Sequence, residues 1–202
     1  FFDPLNQGCL IKSPVDFIIG LCRECEVPLP DSKDYTTWYS TLDGLLYQLE
    51  LLQQSPGDPP SVSGWPAYYQ IPSFHELWIN NDTYPRRTQF TDIMVYNGFT
   101  RLGFELKMDT IAFARSLSNP GDPKALLDDS LATLYRIALS DAAKEQLKRD
   151  LLLTGQTNDY YWTNAWNTYI ANPGDMMAYQ TVHTRLNELY RYLLALPEYQ
   201  LS

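Results

Sequence analysis

Asp175-Met176-Met177-Ala178-Tyr179-Gln180-Thr181-Val182-His183-Thr184-Arg185-Leu186-Asn187-Glu188-Leu189-Tyr190-Arg191-Tyr192-Leu193-Leu194-Ala195-Leu196-Pro197 decides the fold class. Ala178, Val182, Leu186, Leu189, Leu193 and Leu196 recur at intervals of three and four, which lays one apolar face along a helix. Asp175 is the N-cap residue and Pro197 the stop. Upstream, Trp162, Ala165, Trp166, Tyr169 and Ile170 predict a further helix with an aromatic face. Ser140 caps another that runs through Leu147 and Leu151 to Gly155. Asp122 caps, and Pro123 starts, a helix whose stripe is Leu127, Leu131, Leu134 and Ala138. A short one from Asp109 through Ile111, Ala114 and Leu117 precedes it, ending before Asn119-Pro120-Gly121.

The amino-terminal half carries the same punctuation. Ser13, Pro14 and Asp16 open a helix that runs to about Cys25. Beyond Pro28-Leu29-Pro30, Trp38, Leu42, Leu45, Leu49 and Leu52 predict a longer one. A third opens near Asp82 or Thr83, tolerates Pro85 in its first turn, and passes Phe90, Ile93 and Met94 to stop at Asn97-Gly98, with Gly98 as the cap glycine. The sum is an all-α, layered domain of seven or eight helices spanning residues 1–202, in halves 1–98 and 99–202.

One segment escapes the helical period. Residues 55–78 hold five prolines and the run Pro59-Pro60-Ser61-Val62-Ser63-Gly64-Trp65-Pro66, followed by Trp78-Ile79-Asn80. Prolines fix φ, glycine permits φ > 0, and the indoles add large apolar area with one donor each, so this reads as an ordered Pro/Gly/Trp loop, with a short extended piece near Tyr68 to Ile71. Such a loop organises either a core or a surface. Pro-Gly-Asp occurs at Pro56, Pro120 and Pro173; Pro and Gly suit the centre of a type II turn and Asp suits an N-cap, so the recurrence is turn chemistry and not a repeat.

Composition excludes several functions. The 202 residues are 45% hydrophobic and 19% charged, on the globular side, and the net charge of −9 repels phosphate backbones and anionic lipid. Arg86-Arg87 is the obvious basic pair, so no nucleic-acid partner is expected, and no apolar run is long enough for a membrane span. The start at Phe1-Phe2-Asp3-Pro4 carries neither initiator Met nor signal peptide, which reads as a portion of a longer protein. Cys9, Cys22 and Cys25 are too few for a disulfide framework. Cys22-Arg23-Glu24-Cys25 has C-x-x-C spacing but sits at the carboxyl end of its helix, where the dipole disfavours a thiolate; with Cys9 or His75 it would make a zinc site, and buried thiols are the simpler reading. No metal and no cofactor is expected.

Nucleophile elbow, Walker loop, dinucleotide fingerprint and H-E-x-x-H are all absent. His183 sits between apolar positions of the last helix, as a boundary residue would. His75 lies beside Glu76 in the tryptophan loop, before Asp82 and Arg87, and a histidine, carboxylates and an arginine brought together could position and ionise a polar substrate. Against that, Asp82 is explained as a cap, and an arginine under a loop commonly holds backbone carbonyls. Tyr160-Tyr161-Trp162 and Trp166 could stack on sugar rings, although helical spacing makes core packing the more economical account.

Ile11-Lys12-Ser13-Pro14-Val15-Asp16-Phe17 with Gly20-Leu21, then the Pro59 to Pro66 run, then Trp78-Ile79-Asn80 with Arg87 and Phe90 resemble, in order and spacing, the carboxyl-terminal part of the bacterial family known as domain of unknown function 1800. The closing Leu196-Pro197-Glu198-Tyr199-Gln200 is similar to that family's ending. The resemblance implies a large, mostly helical, exported bacterial protein with no established activity. Two functional expectations follow. The first is a non-catalytic binding or assembly module whose loop, through Gly64, Trp65, Pro66, Trp78, Asn80 and Arg87, docks a missing amino-terminal portion or a partner protein. The alternative is a glycan- or peptide-binding pocket at the same loop, with hydrolysis by His75, Glu76 and Asp82 and with Arg87 orienting the substrate.

Overall fold

The computed structural model describes residues 6–65, 71 and 75–202. Pro66 lies outside the described residues, as does the expected extended piece at Tyr68 to Ile71 except for Ile71 itself. The fold is mostly helical, as the caps and stripes dictate: α1 (Pro14–Glu24), α2 (Tyr35–Leu51), α3 (Thr83–Tyr96), α4 (Thr110–Ser116), α5 (Pro123–Leu134), α6 (Asp141–Leu147), α7 (Tyr160–Ala171) and α8 (Met176–Ala195). A hairpin, β1 (Phe99–Arg101) with β2 (Phe104–Leu106), pairs antiparallel with Phe99 opposite Leu106 and Arg101 opposite Phe104. Leu102 and Gly103 both hold positive φ, 48° and 83°, as a two-residue type I′ connection requires.

The start signals act through side-chain hydrogen bonds. Ser13 Oγ accepts from the Asp16 amide, Asp109 from Ile111 and Ala112, Asp122 from Lys124 and Ala125, Ser140 from Ala143, and Asp175 from Met177 and Ala178. α3 departs from this rule. The Asp82 side chain caps nothing; Asn80 Oδ1 instead accepts from the Asp82 and Thr83 amides, both at 2.9 Å. All three Pro-Gly-Asp segments close a turn, the Asp amide donating to the residue three before it. Only Gly57, at φ 84°, has the left-handed conformation of a type II turn; Gly121 and Gly174 do not.

The chain forms two compact units, Phe1–Met108 with Ala195–Ser202, and Asp109–Leu194. In the first, Phe17, Ile18 and Leu21 of α1, Leu45 and Leu49 of α2, and Phe90, Met94 and Val95 of α3 form the core, each side chain contributing roughly 1.5–3 kcal/mol of burial. Phe17 packs on Phe90 at 6.1 Å between ring centres, and Phe90 stacks on Phe99 of the hairpin at 5.6 Å. The carboxyl terminus returns here: Leu201 bridges Ile11, the Lys12 amide donates to Gln200 O at 2.7 Å, and the Ser202 amide donates to Leu10 O at 2.9 Å.

In the second unit Leu126, Leu127, Leu134, Leu152, Trp162, Val182, Leu186 and Leu189 are buried. Trp162 Nε1 donates to Pro120 O at 2.8 Å, so its indole grips the turn before α5. α5 stops at Leu134 with Tyr135 as its cap, which leaves Ala138 exposed beyond it. α6 passes into a π-helical turn, Lys148–Leu152, whose extra residue per turn shifts the inward position from Leu151 to Leu152. Ile170 faces solvent, because the buried arc of α7 is only wide enough for Trp162, Trp166 and Tyr169. No helix among the described residues is long and apolar enough to cross a membrane.

Candidate functional site

The tryptophan loop reaches the core through Trp78. That indole is 1% exposed at the end of a 3₁₀ turn, Glu76–Trp78, and Trp65 meets it edge-on with ring centres 5.4 Å apart. Thr83 Oγ1 donates to the Trp78 carbonyl at 3.1 Å and accepts from the Asn80 amide at 3.0 Å, which joins the loop to the first turn of α3. Asn80 binds on both sides of its amide: its Oδ1 caps α3 and its Nδ2 donates to Gln53 Oε1 at 3.2 Å, beside the end of α2. Gly64, at φ 93°, closes a small turn on Ser61.

Arg87 lies one turn into α3 and is fully buried. Its Nη2 donates to Lys12 O at 2.8 Å, its Nη1 to Gln200 Oε1 at 3.3 Å, and its guanidinium stacks over Phe17 at 4.8 Å. Burial pulls its pKa down to about 10, with the Tyr199 hydroxyl opposing that fall, so it is a cation at neutral pH held by neutral acceptors and a ring face. Asp82, five residues earlier, turns outward to Arg86 Nε at 3.0 Å. Glu76 is exposed and His75 half-buried. The loop and α3 therefore place these residues close in sequence but with divergent tasks: Arg87 inward, Asp82 outward, Asn80 on the backbone.

An open surface concavity of about 680 Å³ borders Asn80, with Ile79, Asn81, Tyr84 and Pro85 as its other lining residues. None of the five is a carboxylate, histidine, cysteine or lysine, so this hollow can accommodate a ligand but supplies no pair of the usual general acid and base residues. Trp162 and Trp166 are buried, at 5.9 Å from each other, and Tyr160 and Tyr161 are exposed above them on α7. Cys22 and Cys25 are thiols pushed up by burial, Cys22 to about 11 and Cys25 further, with Glu24 as the next contributor at Cys25; Cys9 is an exposed thiol outside any disulfide. Among the described residues no group of three or more histidine, cysteine or carboxylate side chains is placed to hold a metal ion.

Three residues around Arg87 stood in the quoted motifs but had no task assigned to them from sequence. Lys12 is 4% exposed, with its ammonium 3.9 Å from Glu24 and 3.9 Å from the centre of the Tyr199 ring. Tyr199 is fully buried and packs on Phe17 at 5.7 Å, and Gln200 takes the Arg87 bond. The available signal was Leu196, Tyr199 and Leu201, large apolar side chains close together after the end of α8. A second overlooked feature is the outward side of α2, where Tyr35, Tyr39, Leu42 and Leu46 are exposed.

No curated protein and no solved structure matches this chain. The protein-family model described as Protein of unknown function (DUF1800) matches residues 1–201, so the chain belongs to that family.

Proposed function

We propose that this chain is a non-catalytic binding module that docks another polypeptide through the first unit, with the tryptophan loop acting as its internal brace. The observation that carries the reading is the outward side of α2: Tyr35, Tyr39, Leu42 and Leu46 stand at helical spacing and all four are exposed. Scattered exposed apolar residues need no explanation, whereas a continuous stripe of two tyrosines and two leucines is what interface anchors look like. Two of the four groups expected to serve hydrolysis, Arg87 and Asp82, are committed to other contacts. Arg87 is held inward by Lys12 O, Gln200 and Phe17, Asp82 is turned to Arg86, and Asn80 binds the start of α3 and Gln53. That arrangement supports a rigid scaffold better than a reactive pocket.

The test is the hydrodynamic size of the purified, labelled 202-residue chain after it is added to native extract from its source cell. Wild type is expected to migrate well above its own 23.3 kDa, and Leu42→Ser with Leu46→Ser to fall to a smaller species with unchanged helicity. Identical migration of the two would contradict docking through α2.

A further inference from the structure

The stripe on α2 also has a charged margin, and the margin specifies the partner. At 100° per residue, Tyr35, Tyr39, Leu42 and Leu46 fall within about 60° of arc and span about 16 Å. They are 69%, 67%, 39% and 36% exposed. Thr41, Leu45 and Leu49 occupy the neighbouring arc and are buried, so the stripe is an extension of the core face onto the surface. On its other side lie Asp43 and Glu50, both exposed and neither ion-paired among the described residues. No lysine or arginine occurs anywhere in α2. At its amino-terminal end Lys33 is outnumbered by Asp31 and Asp34, and Arg101 covers Gly44 half a turn away from the stripe.

We infer that the occupant of this stripe is an amphipathic segment of another polypeptide, aliphatic on one face and bearing lysine or arginine along one edge of that face. This rests on the docking reading given above and adds the chemistry of the partner. The apolar part supplies the affinity, since four side chains on three turns match the anchor spacing with which helices pack side by side. The acidic edge supplies orientation: a cation on the partner meets Asp43 or Glu50 only when the segment lies one way round. The same edge disfavours the other occupants. A second copy would bring two acidic edges, each on a chain of net charge −9, against each other, and an anionic lipid surface would be repelled outright.

Titration with three designed amphipathic helices of about five turns, leucine–lysine, leucine–glutamine and leucine–glutamate, tests this on the intact chain by tryptophan-independent fluorescence of a labelled peptide. The leucine–lysine helix is expected to bind at least about tenfold more tightly than the leucine–glutamine helix, and the leucine–glutamate helix not at all. Leu42→Ser with Leu46→Ser should abolish that binding. Asp43→Asn with Glu50→Gln should bring the leucine–lysine helix down to the leucine–glutamine value and remove its salt dependence. Binding of the leucine–lysine helix that survives Leu42→Ser with Leu46→Ser would be attraction to the chain's net charge and would overturn the proposal. Equal binding of the lysine and glutamine helices, lost in the same variant, would overturn the basic edge while leaving α2 as a docking face. Sedimentation showing a dimer that Leu42→Ser with Leu46→Ser dissociates would overturn it in favour of a second copy.

Discussion

Arg87 donates to the side-chain oxygen of Gln200 at 3.3 Å across 113 positions of sequence, inside a core where both are buried. With the 2.8 Å bond to Lys12 O, this one guanidinium holds the segment before α1, the second turn of α3 and the 3₁₀ turn at Pro197–Gln200 together. Its fork shape suits the task, since two donors of one planar group reach a backbone carbonyl and a side-chain amide oxygen on different segments of the chain.

Arg87→Ala leaves two buried acceptors unpartnered and opens space under Phe17, and should destabilise the first unit by about 3 kcal/mol or more. Arg87→Lys keeps the charge without the fork and should recover only part of that. Urea denaturation followed by helicity measures both; a loss below about 1 kcal/mol for Arg87→Ala would show that the clasp is not organised by this side chain.

Tyr199 is the apolar half of the same clasp. Tyr199→Ala removes a fully buried ring from Phe17 and from beneath the Lys12 ammonium, at an expected cost of about 3–5 kcal/mol. Hydrogen exchange should quicken in α1 and α3 and be unchanged in α7. Uniform quickening across both units would mean that they open together.

Gly98 follows α3 at φ 67°, and a Cβ there would meet Leu106 O at 3.0 Å and the Lys107 side chain at 2.9 Å. Gly98→Ala is therefore expected to cost about 1–3 kcal/mol, from the left-handed backbone and from contact with a carbonyl that cannot swing aside. A neutral thermal midpoint would show that the hairpin yields.

The cysteine pair sets an alkaline signature. Burial raises Cys22 from 9.0 to about 11 and Cys25 further, so above pH 9 the unfolded chain has lost protons that the folded chain retains. Their contribution to stability is complete below pH 9 and is lost as pH rises towards 11 and beyond, with a slope of up to about 1.4 kcal/mol per pH unit for each thiol. Cys22→Ala with Cys25→Ala should flatten that part of the stability curve. In the same pH range iodoacetamide should label Cys9 alone; fast labelling of Cys22 or Cys25 would contradict the burial.

Much of the fold was legible because it is written in local chemistry. Ser13, Asp109, Asp122, Ser140 and Asp175 each cap the helix they precede, and each bond spans two or three residues. Features that depend on partners elsewhere in the chain were not legible. The hairpin hides behind Leu102, a residue that seldom adopts positive φ, and the π turn after α6 moves Leu152 inward at the expense of Leu151 without any change in composition. Leu42 and Ile170 share the periodicity of their helices' core positions, yet both are exposed, since periodicity gives a face but not the width of what covers it. The clasp of Arg87, Tyr199 and Gln200 joins the third helix to the terminus, and no motif spans such a distance. For the candidate site, the loop residues were found from their types, and their tasks became visible only through their hydrogen bonds.

The most direct test places a photo-cross-linking benzoylphenylalanine at Leu42 or at Trp65, in otherwise identical protein expressed in the source cell. The account predicts a discrete adduct with a second polypeptide from Leu42 and little or none from Trp65, which is packed against Trp78. An adduct from Trp65 with none from Leu42 would contradict it and return the tryptophan loop to the role of docking surface.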